Sequence, residues 1–62
     1  MALVLTPNID NPDGFYDALV QAHEGLNADE SAAFNARLIL ILANQVGNEE
    51  TLRAALKTAQ GA

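Results

Sequence analysis

The sequence predicts an all-α fold: a three-helix small domain with a long central helix and an extended N-terminal arm. Three observations predict it. Asparagine stands before three apolar-periodic stretches, at Asn11, Asn27 and Asn48, where its side chain suits a helix start. Gly25 and Gly47 close the first two stretches, as expected of residues that take the left-handed cap. Between them runs Leu38-Ile39-Leu40-Ile41-Leu42-Ala43, six apolar residues in succession inside an otherwise soluble-looking helix. A helix apolar nearly all round is normally buried on most sides, so this segment reads as the central one.

Residues 1–10 read as the arm. Leu3, Val4 and Leu5 are followed by Thr6-Pro7, where proline fixes the backbone and removes a donor, and Ile9 adds another aliphatic group. Four large aliphatics are costly to leave in water, so the arm is expected to lie over the helices rather than fray.

The first helix is expected over about 12–24. Asn11 caps it, Pro12 suits its first position and Asp13 favours its positive end. At about 100° per residue, Phe15, Ala18, Leu19 and Ala22 share one face, with Asp17, Gln21 and Glu24 opposite. Tyr16, Val20 and His23 lie on one shoulder.

The second helix is expected over about 28–46. Asn27-Ala28-Asp29-Glu30 resembles a capping box, with Asn27 in the place of Ser or Thr and Glu30 three residues on. Its apolar residues, from Phe34 to Val46, span about 260° of the circumference and leave a polar strip of Glu30, Arg37 and Asn44. A flanking helix covers an arc of about 100°, so two of them leave part of this surface open. Either the arm or a second protein chain takes the remainder. Association is therefore expected, with Leu40 and its neighbours close to the contact.

The third helix is expected over about 49–59, capped by Asn48. Glu49 and Glu50 sit at its positive end within reach of Arg53, and Leu52, Ala55, Leu56 and Ala59 form a narrow apolar stripe. Connections this short place successive helices antiparallel or steeply crossed.

Sixty-two residues make one domain at most. So small a core is usually supported by disulfides, a metal, association or tight packing. With no cysteine and one histidine, disulfides are excluded and a zinc site is not expected. The net charge of −5, from three basic and eight acidic residues, leaves no basic face for nucleic acid or an anionic membrane. The apolar run is far too short to span a bilayer, and the N-terminus lacks the basic region of a signal peptide, so the expected location is cytoplasmic.

Among candidate site residues, Arg37 lies between apolar neighbours. It either snorkels on the solvated strip or anchors a carboxylate of a partner. Asn35 and Gln45 point into the apolar arc and are expected to satisfy backbone groups at a neighbouring helix end. His23 has no second ligand or nucleophile within reach, and is expected in the last turn of the first helix, at the negative end of its dipole. With Tyr16 two turns earlier on the same shoulder, it is expected to edge an interface. Most carboxylates occupy first turns or polar faces. Asp13 and Asp17 lack the loop spacing of a cation site, and Gly14 alone is too weak a phosphate signal. The expected interface residues are Tyr16, His23, Arg37, Leu40 and Asn44, with no catalytic, metal or cofactor residue.

The stretches Pro12–Tyr16 (PDGFY), Ala22–Leu26 (AHEGL) and Asn35–Asn44 resemble the PDGFY, AHEGL and NARLILLLAN pattern of a family of short helical bacterial proteins, named as a domain of unknown function. The resemblance covers nearly the whole chain. It implies a setting beside flavin-dependent aromatic-ring monooxygenases, and hence an accessory partner for such an enzyme, with no catalytic residues to carry over. The functional expectation is a non-catalytic helical interaction module, either a homodimer or a small subunit of a larger enzyme. The alternative is a small carrier of an apolar aromatic molecule, its site formed between chains because one small core scarcely encloses a ligand pocket.

Overall fold

The computed structural model describes residues 3–61. Three helices follow one another among these residues: α1 (Pro12–Ala22), α2 (Ala28–Val46) and α3 (Glu49–Ala59). Residues 3–11 precede them without helix or strand, and the first two residues of the expected arm lie outside the described residues.

Each helix begins on an asparagine whose side chain closes an open backbone donor. Asn11 Oδ1 accepts from the Gly14 N–H at 3.1 Å, with Pro12 at the first helical position. A Cβ at Gly14 would come within 2.9 Å of Asn11 Cγ, so glycine is what leaves room for this cap. Asn27 and Glu30 form the full capping box: Asn27 Oδ1 accepts from the Glu30 N–H at 2.9 Å, and Glu30 Oε1 accepts from the Asn27 N–H at 3.0 Å. Two donors that a helix start leaves orphaned are thereby satisfied reciprocally. At α3, Asn48 Oδ1 accepts from both the N–H and the hydroxyl of Thr51, at 2.8 and 2.9 Å.

α2 ends at Gly47, whose φ of +78° is the left-handed conformation that most residues avoid and whose N–H donates to the Ala43 carbonyl at 2.9 Å. α1 ends at Ala22, two residues before the expected Glu24. Its last turn tightens, with the N–H groups of His23 and Glu24 donating three residues back, to Val20 and Gln21, each at 3.1 Å. Such tightening commonly satisfies the orphan carbonyls of a helix end.

Packing contrasts with these finished ends. α2 and α3 are the one helix pair in contact, and α1 packs on neither. The radius of gyration is 13.3 Å, where a compact chain of this length has roughly 10.5 Å. No hydrophobic side chain is buried among the described residues, and Thr51 is the one buried residue. On α2, Ile39, Leu40 and Ile41 are 61%, 72% and 58% exposed, so the two flanking helices indeed leave this rod uncovered.

Two expectations are corrected here. The arm is not covered as expected: Leu3 is half-buried, but Val4, Leu5 and Ile9 are all exposed. Asn35 and Gln45 are exposed as well and satisfy no neighbouring helix end. The reason is common to both. The apolar arc of α2 faces no closed interior, so there is nothing for an arm to complete and no buried backbone for an amide to serve.

Candidate functional site

The site that emerges is an apolar groove between α2 and α3. After Gly47-Asn48, α3 meets the C-terminal half of α2, and side chains of both line one groove. Ile39, Leu42 and Val46 recur at helical spacing along one wall, and Leu52, Ala55 and Leu56 line the other. The alanines keep the walls shallow while the leucines and isoleucine set their height. The groove encloses about 500 Å³, is open to solvent along its length, and carries no charged residue in its lining. Glu49 and Arg53 lie close to one rim on α3 and pair with each other at 2.8 Å, so no net charge stands there.

A second apolar surface lies on α1. Phe15, Leu19 and Ala22 share one face, and α1 packs on no other helix. Phe15 is 46% exposed and Leu19 half-buried. The join between α1 and α2 is made instead by His23. Its Nδ1 lies 3.0 Å from the Ser31 hydroxyl, and its ring meets Phe34 edge-on with centroids 4.8 Å apart. An edge-to-face aromatic contact of this kind adds modestly to what area burial alone contributes. His23 thus ties the end of α1 to the first half of α2.

The five residues singled out in the sequence are not brought together. Tyr16 is exposed on α1, without a hydrogen bond or ring contact among the described residues. Arg37 and Asn44 lie exposed on α2, likewise without a polar partner among the described residues. Leu40 is exposed about 100° round the helix from Ile39, off the groove. His23 alone is engaged, within its own chain. Ser31 is the functional neighbour that sequence reasoning missed. Its signal was a lone hydroxyl one turn into α2, eight residues from His23 across the Gly25 turn. No group of acidic and imidazole side chains among the described residues is arranged to hold a metal ion, and no described helix is long and apolar enough to cross a membrane.

Charge is divided unevenly along the chain. Residues 1–30 carry Asp10, Asp13, Asp17, Glu24, Asp29 and Glu30 and no basic residue, a net −6. Residues 31–62 carry Glu49 and Glu50 against Arg37, Arg53 and Lys57, a net +1. The groove belongs to the second half and the α1 face to the first.

This chain belongs to the family described as "Protein of unknown function (DUF2783)", whose model matches residues 3–61. No curated protein and no solved structure matches it.

Proposed function

We propose that this member of the family is a non-catalytic helical interaction module, self-associating or serving as a small subunit of a larger enzyme, whose apolar core forms between chains. One observation carries the reading. The chain exposes 5388 Å², about 1,500 Å² more than a compact monomer of 6.6 kDa would show. That excess is the area one partner contributes to a substantial protein–protein contact. An extended greasy surface of this kind on a chain whose helix ends are fully built marks an interaction site. Tyr16, Arg37, Leu40 and Asn44 stand exposed and available as its edges. An enzyme of aromatic breakdown is the larger partner that the family resemblance implies.

The groove gives the carrier reading its specific support, since about 500 Å³ of apolar-lined space falls within the range of ligand pockets. Its openness favours a protein segment over a small molecule, which needs enclosure to bury most of its surface. The test is the behaviour of the isolated chain on dilution. Association predicts loss of cooperative unfolding and binding of an apolar dye at nanomolar concentration. A dilute single chain that unfolds cooperatively and leaves the dye dark removes the proposal. Stabilisation by millimolar phenols or aromatic acids, with no second protein present, would favour the carrier instead.

A further inference from the structure

We infer that the groove between α2 and α3 is occupied by α1 of a second copy of this chain, seated reciprocally so that two copies exchange their first helices. The inference rests on the association reading above and names its partner and its seat. Among the exposed apolar surfaces of the described residues, which also include Val4, Leu5 and Ile9 of the arm and Leu40 on α2, two run along helices: the groove and the α1 face. They match in length: Phe15–Ala22, Ile39–Val46 and Leu52–Ala59 each advance about 10.5 Å along their helix axes. A third helix lying along the α2–α3 crevice replaces an open pair with a closed three-helix unit on each side.

Electrostatics separates this seating from the obvious rival, groove against groove. Groove-to-groove contact brings together the two halves that each carry +1 and leaves both α1 faces bare. Seating α1, which carries Asp13 and Asp17 and no basic residue, in the partner's groove sets an acidic helix against a half of net +1, and the lining itself contributes no charge to desolvate. Area agrees. Two chains each covering an excess of about 1,500 Å² give an interface of roughly 3,000 Å², within the range of obligate dimers. Closure agrees as well. A reciprocal two-fold exchange satisfies both surfaces of both copies, whereas a one-way seating would leave one of each free and propagate. α1 is joined to α2 by the His23–Ser31 contact beyond its C-terminus, and on its apolar face Phe15 is left 46% exposed while Leu19 is half-buried.

Complementation between two defective copies tests the exchange. Phe15→Glu spoils the donated face, and Leu56→Glu spoils the groove. In sedimentation at micromolar concentration the wild-type chain is expected at twice its 6.6 kDa mass, and each variant alone at the monomer mass. Mixing the two restores a dimer, because the intact face of one copy enters the intact groove of the other. Circular dichroism on the mixture is expected to regain part of the helicity that either variant lacks alone, since one of the two seats is restored. Phe15→Glu sedimenting alone as an undiminished dimer overturns the exchange in favour of groove on groove, and leaves the interaction module standing. A mixture no more dimeric than either variant alone, up to the highest concentration reached, overturns it too. A wild-type chain that is monomeric and dye-binding places a different protein in the groove, again with the module intact. A compact, dye-silent wild-type monomer removes both.

Discussion

At the start of α2, Asn27 and Glu30 exchange hydrogen bonds of 2.9 and 3.0 Å and satisfy each other's backbone donors. A dozen residues further on, Ile39, Leu40 and Ile41 present their side chains to solvent on three sides of the same helix. Ends and flanks of one element are thus finished to different degrees. End chemistry works over three or four residues and is closed within any single chain. Flank chemistry depends on neighbours, and here the chain supplies α2 with one packed neighbour, α3. In water most helical stability comes from packing an amphipathic face, and a helix of α1's eleven residues is marginal alone. Good caps therefore do not substitute for a covered flank.

The largest effect should come from breaking a flank. Leu42 lines the groove and is 48% exposed in the single chain. If a second chain covers it, Leu42→Ala should cost about 2–4 kcal/mol per chain, the range for truncating a buried leucine. Leu40→Ala, at the edge of the contact rather than in the groove, should cost less, about 1 kcal/mol. Concentration-dependent thermal unfolding measures both. Equal and small losses would mean that the groove stays open in solution.

Next in size are the ends. Asn48→Ala removes the acceptor for both the amide and the hydroxyl of Thr51, the one buried residue among those described. The expected loss is about 1–2 kcal/mol, at the upper part of the capping range because Asn48 Oδ1 serves two donors of Thr51. Asn27→Ala should lose about 1 kcal/mol, since its site is exposed and water can replace the lost partner. Denaturant midpoints compared at one protein concentration would rank the two. A reversed order would show that the α2 start is covered in the assembly.

How much of this was legible follows the same division. The three asparagine caps, the capping box at Glu30 and the stop at Gly47 were readable because each is a contact between residues three or four apart. The long central helix and its excess of apolar arc were readable from periodicity. The fate of Asn35 and Gln45 was not. A helical wheel says which way they point relative to Leu38 and Leu42, and only the packing of other elements decides whether that direction is an interior. The arm failed for the same reason: Val4 and Leu5 are apolar, but sequence does not say whose helices they meet. The groove was half visible, since Leu52 and Leu56 read as one stripe while Leu42 and Val46 were part of a wide apolar arc, from which no single groove wall stands out. His23 was placed correctly at the end of α1, yet its partner Ser31 lies across a turn where no periodicity carries.

Gly47 sharpens the comparison from the other side. Its φ of +78° is intrinsically costly for any residue with a Cβ, while the space around it is open, with no atom within 4 Å of an added Cβ. Gly47→Ala should therefore cost about 1 kcal/mol through backbone conformation alone. The penalty should be the same at all protein concentrations if no partner approaches this turn. A cost that grows with concentration would place a second chain against the end of α2.

The smallest expected effect belongs to the pair of Glu49 and Arg53. Their side chains are 77% and 75% exposed and meet at 2.8 Å, four residues apart on α3. Glutamate N-terminal to its basic partner is the favoured order, yet exposed pairs of this spacing contribute only about 0.3–0.5 kcal/mol and are screened by salt. Arg53→Ala should lower stability by that amount in dilute buffer, with the loss largely gone at molar salt. The pair stands close to one rim of the groove, so it also reports on what fills it. An acidic α1 seated there would draw on Arg53, and its removal would then weaken dimerisation more than it weakens α3. Measuring helicity and dimer dissociation on the same variant separates the two contributions. A loss confined to helicity would keep Arg53 a feature of its own helix and move the partner's acidic residues to the other rim.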